Sequence, residues 1–166
     1  MIMTPTSAQP RRKFDSLEQA AYLHLWRTYD RLRAIEDELF ERHGLSAQQY
    51  NALRLLAAAQ PVPIPTLTLG ARLISRAPDM TRLLDRLEER GWVTRQRRSD
   101  NRRVVEVAIT TAGSKLLDRL EREVRDCHHR QLGHLDQKTL RALIELLSDA
   151  RAPHEDAEHP WPNTKL

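Results

Sequence analysis

The longest helical pattern in the sequence, residues 16–43, constrains the fold more than any other feature. The stretch contains neither glycine nor proline, and we predict one long helix that ends at Gly44, where glycine adopts a left-handed cap at little cost. Such a long apolar stripe has to pack on another helix or another chain, because a small lobe cannot cover it. Its apolar residues recur at helical spacing: Tyr22, Leu25, Trp26, Tyr29, Leu32, Ile35 and Leu39.

Capping signals predict further helices downstream. Ser46 and Gln49 have the spacing of a capping box, for a helix that ends near Gln60. A short helix begins at Thr66, and after a tight turn another runs over about residues 78–90, with proline at its first position.

Two more helices follow near the C-terminus. Thr110 or Thr111 caps a long helix that reaches about Gln131, and Asp136 caps the last one. We expect the apolar stripe of that last helix to be buried: Leu140, Leu143, Ile144 and Leu147.

A β-hairpin is predicted between these helices. The segments WVTRQR and VVEVAI are typical of strands, with a turn around Ser99 and Asp100. Upstream, prolines at 61, 63 and 65 exclude a helix and allow only an extended connector or a short edge strand. The predicted fold class is therefore mainly α with a small β wing.

Positive charge is concentrated in one region. Residues 72–103 contain ten arginines and five acidic residues, a local net charge of +5 against +4 for the whole chain. The region therefore favours an anionic partner.

Two short helices followed by a basic hairpin are typical of a winged helix-turn-helix. In the second helix, leucines at 83, 84 and 87 form a buried stripe, which leaves Thr81, Arg82 and Arg86 free to enter a DNA groove. The alternative is an ordinary amphipathic helix in which Arg82 pairs with Asp85, or Arg86 with Glu89. We expect Asp100 to fix the turn of the hairpin by accepting hydrogen bonds from Arg102 or from backbone amides. The candidate DNA-binding set is Ser75, Arg76, Thr81, Arg82, Arg86, Arg97, Arg98, Asp100, Arg102 and Arg103.

These motifs resemble those of the multiple-antibiotic-resistance regulator (MarR) family. The matching residues are Thr81-Arg82-Leu83 with Leu87, then Gly91, the Asp100-Asn101-Arg102 wing motif, and Ile109-Thr110 with Gly113. The resemblance covers about residues 16–150. It implies a homodimer with intertwined terminal helices that reads a palindromic operator in double-stranded DNA, usually under a small-molecule or oxidant switch.

The resemblance also implies roles for individual residues. Thr81, Arg82 and Arg86 would face the major groove, while Asp100 and Arg102 would order the wing. Trp26, Tyr29 and Tyr50 would line a pocket for a phenolic or other aromatic effector, although core packing is the other interpretation and the better supported one. The family's first short strand falls where the prolines stand, which argues against a third strand pairing with the wing.

Other classes of protein are disfavoured. Cys127, the single cysteine, excludes an intramolecular disulfide, and we predict a buried core thiol rather than a redox sensor. His128, His129 and His134 are predicted to be surface residues, without a metal or cofactor. There is no phosphate-binding glycine loop and no nucleophile elbow, so we predict no enzyme. Without an apolar run of membrane-spanning length or a secretory signal, we predict a cytoplasmic protein.

The sequence therefore predicts a dimeric, sequence-specific DNA-binding transcriptional regulator, a repressor released by an effector. The alternatives are a winged-helix module for protein contacts and a non-specific architectural DNA binder. The predicted organisation is a flexible arm (1–15), dimerisation and supporting helices (16–60), a winged helix-turn-helix lobe (61–110), C-terminal dimerisation helices (111–150) and a tail (151–166).

Overall fold

A computed structural model describes residues 14–74 and 79–155 of the 166-residue chain. Most of the predicted arm, the turn that contains Ser75 and Arg76, and the tail beyond residue 155 lie outside the described residues. Contacts between residues divide the chain into two units at Ala34–Ile35.

The described residues are mainly helical and include a small antiparallel sheet, which confirms the predicted fold class. The helices are α1 (Leu17–Glu41), α2 (Ala47–Ala59), α3 (Thr66–Arg72), α4 (Met80–Glu89), α5 (Thr111–Leu132) and α6 (Gln137–Arg151), followed by a 3-10 turn at Ala152–His154. The strands are β1 (Ile64–Pro65), β2 (Val93–Arg97) and β3 (Val105–Ile109).

Side-chain caps begin the helices close to where the sequence predicted. Ser46 and Gln49 form the expected capping box of α2, with hydrogen bonds of 3.2 and 2.8 Å. Thr110 and Asp136 cap α5 and α6. The prediction for α4 differs slightly, because Asp79 is the N-cap rather than a residue of the first turn, and its carboxylate accepts the Arg82 amide at 2.9 Å.

A glycine with positive φ follows the C-terminal end of each of the helices α1 and α4. Gly44 has φ +66° and Gly91 has φ +69°. At each, the glycine amide and the next amide donate to carbonyls of the last turn, for example Trp92 N to Leu87 O at 3.0 Å, which is the pattern of a Schellman motif. The second of these motifs turns the chain directly from α4 into β2.

The sheet has three strands in the order β1-β3-β2, so the prediction that a third strand would not pair with the wing is wrong. Ile64 lies opposite Val107 and Pro65 opposite Glu106. Proline is tolerated here because β1 lies at the edge of the sheet, where a residue can do without a ladder hydrogen bond. Ile64 and Val107 are both buried, so the pairing also contributes to the core.

The hydrophobic core lies in the second unit. It is built from α2, α3, α4, the sheet and the inner face of α5, together with the end of α1. The predicted burial of the α6 stripe is wrong for the single chain, because α6 has no buried residue and Ile144 remains 45% exposed. Among the described helices, none combines the length and apolarity needed to cross a bilayer.

Candidate nucleic-acid interface

Helix α4 presents one apolar face to the core and one polar face to solvent. Leu83, Leu84 and Leu87 are 7%, 1% and 0% exposed. The side chains predicted to enter a groove, Thr81, Arg82 and Arg86, are all exposed. As the sequence predicted, one face of α4 is anchored in the core by leucines, and the other face presents polar side chains to solvent.

Arg95 of β2 clasps the two carboxylates on the exposed side of α4. Its Nη2 donates to Asp85 and to Glu88, each at 2.6 Å, and its Nε donates to Glu88 at 2.9 Å. The Arg95 backbone amide donates to the other oxygen of Glu88 at 3.2 Å. These hydrogen bonds, led by those to Glu88, raise the pKa of Arg95 further, so this guanidinium stays charged. The sequence analysis did not identify this residue, because its partners are found only once strand and helix are packed.

The clasp changes the charge pairing that the second interpretation of α4 expected. Asp85 is held by Arg95, not by Arg82. Among the described residues, Arg82 and Arg86 have no carboxylate within ion-pair distance. The interpretation in which these arginines are neutralised along their own helix is therefore wrong, and both guanidinium groups remain available to an anion.

The tip of the wing is organised by Asp100, although with a different partner from the predicted one. Its carboxylate accepts from Arg98 Nε at 2.9 Å and Nη2 at 2.6 Å, rather than from Arg102. This pairing with Arg98 holds the pKa of Asp100 below its usual value. Arg98 also lies 3.7 Å from Glu106, so it is an internal ion-pair partner and is less available to DNA than predicted.

The remaining wing arginines point to solvent. Arg97 donates to the Arg102 carbonyl at 3.4 Å, and Asn101 accepts the Arg103 amide at 3.1 Å. Arg102 and Arg103 are exposed and have no carboxylate partner in the described part of the chain. The turn thus holds two free guanidinium groups at the tip.

Thr110 fastens the base of the wing to α5. Its amide donates to Trp92 O at 3.0 Å, and its hydroxyl donates to Gly91 O at 2.7 Å while accepting the Gly113 amide at 3.1 Å. Arg90, in the same region, lies over the Trp92 ring at 5.4 Å from the centroid. The base of the wing is therefore tied at both ends, to α4 by Gly91 and to α5 by Thr110.

The aromatic residues proposed for an effector pocket lie in different units. Trp26 and Tyr29, in the first unit, are 60% and 56% exposed, so the prediction that they pack in the core is wrong for the single chain. Tyr50, in the second unit, is half-buried and stacks on Phe40 with ring centroids 4.6 Å apart. Desolvation raises the pKa of the Tyr50 hydroxyl. A role of these residues in effector binding stays a prediction.

The cysteine and the three histidines have the burial and exposure that the sequence predicted. Cys127 is buried at 4% exposure, and burial raises the pKa of its thiol, which makes it a poor nucleophile. His128, His129 and His134 are exposed. Over the described ranges, no three histidine, cysteine or acidic side chains are grouped so as to hold a metal ion.

Comparison with known proteins places this geometry among DNA-binding regulators. The sequence model of the MarR family matches residues 45–105. A MarR transcription factor from Planctomyces limnophilus, known from its crystal structure, is 58% identical, with 82% of this chain and 98% of that chain covered and a TM-score of 0.66.

Two more distant similarities cover most of the chain. A MarR-family regulator from Streptomyces coelicolor, solved in complex with DNA, is 19% identical and has a TM-score of 0.76, with 93% of this chain and 98% of that chain covered; at this identity the likeness concerns the fold. The homoprotocatechuate degradative operon repressor of Escherichia coli is 23% identical over 111 residues, which are 67% of this chain and 74% of the repressor.

Proposed function

The chain belongs to the MarR family of transcriptional regulators and has its DNA-binding fold, and from this premise we propose that it is a homodimeric repressor that reads a palindromic operator and is released by a small aromatic effector. Its family and relatives are transcription regulators, not enzymes. A regulator of this kind acts where the DNA lies, so we place it in the cytoplasm.

The exposed face of α4 carries the proposal for the major groove. Arg82 and Arg86 are exposed, lie about one helical turn apart and have no carboxylate partner among the described residues. The opposite face of the same helix is packed in the core through three buried leucines. A guanidinium presented in this way can donate two hydrogen bonds to a guanine edge, which contributes roughly 1–3 kcal/mol of base discrimination. Thr81, on the same face, offers a hydroxyl and a methyl group to a neighbouring base.

The wing supplies a second contact with the duplex. Arg102 and Arg103 are exposed at a turn that the Arg98–Asp100 pair holds in shape. A narrow minor groove has enhanced negative potential and attracts arginine. We assign Arg102 and Arg103 to that groove or to its flanking phosphates.

Exposed apolar residues on the terminal helices support the dimer. Leu25, Trp26 and Tyr29 of α1 are each about half exposed or more, and so is Leu146 of α6. An apolar stripe open to water is unfavourable by roughly 25 cal/mol per Å², so we propose that a second copy of the chain covers it. Two-fold symmetry then places the two α4 helices on half-sites about 34–36 Å apart, or a multiple of this distance.

Repression is supported by a relative rather than by geometry. The repressor of the homoprotocatechuate operon is a similar protein. Release requires an effector that binds more tightly to a dimer whose lobes do not match the operator spacing, because equal affinity for both forms would shift nothing.

Binding of the purified protein to DNA from upstream of its own gene tests the proposal. Fluorescence anisotropy across a salt series should give tight binding that survives scrambled competitor and weakens steeply with salt, because phosphate contacts release counterions. Equal affinity for the scrambled duplex would indicate an architectural DNA binder. Binding to neither duplex would favour a protein-contact module, once other genomic sites had been screened.

Single arginine variants locate the interface. We expect Arg82→Ala or Arg86→Ala to lower affinity for the cognate site by roughly tenfold or more and to affect random DNA less. Arg54→Ala removes the same charge from an exposed residue of α2, which is part neither of α4 nor of the wing strands, so it should leave the ratio of cognate to random affinity unchanged. If the α4 variants behaved like Arg54→Ala, the assignment of the recognition face would be wrong.

A further inference from the structure

The Arg95 clasp joins the two elements that are proposed to contact DNA. Arg95 lies on β2, at the edge of the sheet, while Asp85 and Glu88 lie on α4. Four hydrogen bonds of 2.6–3.2 Å cross between strand and helix. One of them comes from the Arg95 backbone amide, so the clasp fixes the position of the strand itself and not only of a side chain.

We propose that Arg95 is a positioning residue: with Asp85 and Glu88 it sets the placement of the wing against the recognition helix, and thereby the sequence specificity of DNA binding. The inference rests on the proposed function of DNA binding. Specific recognition requires α4 and the wing tip to reach their grooves together, whereas non-specific binding needs only positive charge near phosphates. The clasp should therefore matter for the cognate site and little for random DNA.

The chemistry of the clasp favours arginine over any other cation. A planar guanidinium donates from separate nitrogens in fixed directions, so one side chain can bridge two carboxylates while holding their relative position. The Arg95 side chain is 25% exposed, less than either carboxylate partner, at 45% and 39%. Lysine would supply the same charge without the fixed geometry.

Direct DNA contact by Arg95 is the competing role, and it makes the opposite prediction. If Arg95 bound phosphate, removing Glu88 would free it and would strengthen binding. If it only compensated charge, lysine at position 95 would serve equally well. Both roles can be distinguished from a positioning role by experiment. If Arg95 positions the wing, DNA binding should lose specificity when Glu88 is removed, even though the loss of its negative charge favours binding to DNA.

Glu88 and Glu89 offer a matched pair for the test. They are consecutive residues at the end of α4, and their replacement by alanine changes the net charge equally. Glu88 accepts three hydrogen bonds from Arg95, whereas Glu89 has no ion pair among the described residues. We would measure the affinities of Glu88→Ala, Glu89→Ala and Arg95→Lys for the cognate and scrambled duplexes.

We expect Glu89→Ala to strengthen binding to both duplexes by a similar factor. Glu88→Ala should lower the ratio of cognate to scrambled affinity by roughly tenfold, and Arg95→Lys should lower it in the same direction with no change in net charge. Hydrogen exchange at the Arg95 amide gives a readout without DNA: it should be faster in Glu88→Ala than in Glu89→Ala, while the helical circular dichroism of both variants stays that of the parent.

The outcomes separate the two proposals. Specific binding by the parent protein with equal ratios for Glu88→Ala and Glu89→Ala would overturn the role of Arg95 and leave the proposed function intact. A parent protein that does not distinguish the duplexes would overturn the proposed function, and with it the inference. Cognate binding by Glu88→Ala that is stronger than cognate binding by Glu89→Ala would assign Arg95 to direct DNA contact instead.

Discussion

Gly113 packs against the backbone at the base of the wing. A Cβ atom there would lie 2.3 Å from Trp92 O and 2.7 Å from Ile109 Cγ1. The Trp92 carbonyl also accepts the Thr110 amide, so it cannot move away without loosening the start of α5. We expect Gly113→Ala to lower the free energy of unfolding by about 2 kcal/mol or more, measured by urea denaturation.

Gly70 provides the control for this substitution. It lies inside α3, and a Cβ atom there would lie 3.6 Å from Met80 Cγ, an ordinary contact. Because alanine is the better helix former, Gly70→Ala should raise the free energy of unfolding by about 0.5–1 kcal/mol. Destabilisation of similar size at both positions would contradict the steric explanation for Gly113.

The Asp100 carboxylate at the wing tip titrates in a predictable direction. Hydrogen bonds from Arg98 lower its pKa below the usual 3.8. The small stabilisation from this pair is therefore complete above pH 3.8 and is lost as the pH falls through the lower pKa of the folded state. Arg98→Gln should move the pKa of Asp100 back towards 3.8 in a ¹³C NMR titration. The pKa of Asp136, lowered by the backbone amide of Thr139, should not change in this variant.

Among single residues, charge could be predicted from the sequence more readily than pairing. The arginine-rich region was evident from composition, and exposure of Arg82, Arg86 and Arg102 agrees with it. The partners of Arg95 were missed, since a clasp between β2 and α4 depends on how a strand packs against a helix. For Asp100 the sequence analysis named Arg102 rather than Arg98 as the partner, because several arginines lie close to it in the sequence. Opposite charges in nearby elements, Asp85 and Glu88 against an arginine on the adjoining strand, were the signal that could have suggested the clasp.

At the scale of elements, helix α4 depends on its buried stripe. Leu87 is fully buried and Leu67, on α3, is 89% exposed. Leu87→Ala should lower the free energy of unfolding by about 2–5 kcal/mol because it leaves a cavity in the core. Leu67→Ala, the same chemical change in solvent, should alter it by less than about 0.5 kcal/mol. Equal effects in thermal or urea unfolding would mean that α4 is not anchored through this face.

The boundaries of elements were predictable where local chemistry sets them. Ser46, Thr110 and Asp136 cap the helices as expected, because a cap involves residues only three positions apart. Strand β1 was misjudged, because its pairing with β3 joins residues about 40 positions apart. The sequence shows that proline weakens a strand, but whether that strand lies at an edge is a property of the assembled sheet.

For the whole molecule, periodicity identified the apolar faces without identifying what covers them. The α5 stripe, from Leu116 to Cys127, is buried within the chain. The apolar faces of α6 and of the first part of α1 are not, as the exposure of Ile144 and Trp26 shows. A helical pattern is the same whether the covering surface belongs to the same chain or to another. For α1 the sequence left both possibilities open, whereas for α6 the expected burial assumed a covering surface that the single chain does not supply.

The proposed dimer predicts how a single charge on α6 changes the whole molecule. Ile144→Asp puts a carboxylate into the apolar face that we assign to the second copy, where it would be desolvated without a partner. We expect light scattering after gel filtration to give a dimer for the parent and a monomer for this variant, with operator affinity lost. Leu67→Asp adds the same charge to an exposed apolar site on α3 and should remain dimeric. The melting temperature of the parent should rise with protein concentration, as expected when association stabilises the folded state. A monomeric parent would contradict the assignment of α6 to the interface, because the apolar face of α6 would then be tolerated without a partner chain. An Ile144→Asp variant that stays dimeric would contradict it as well, because a charge at position 144 would then not be desolvated by a second copy.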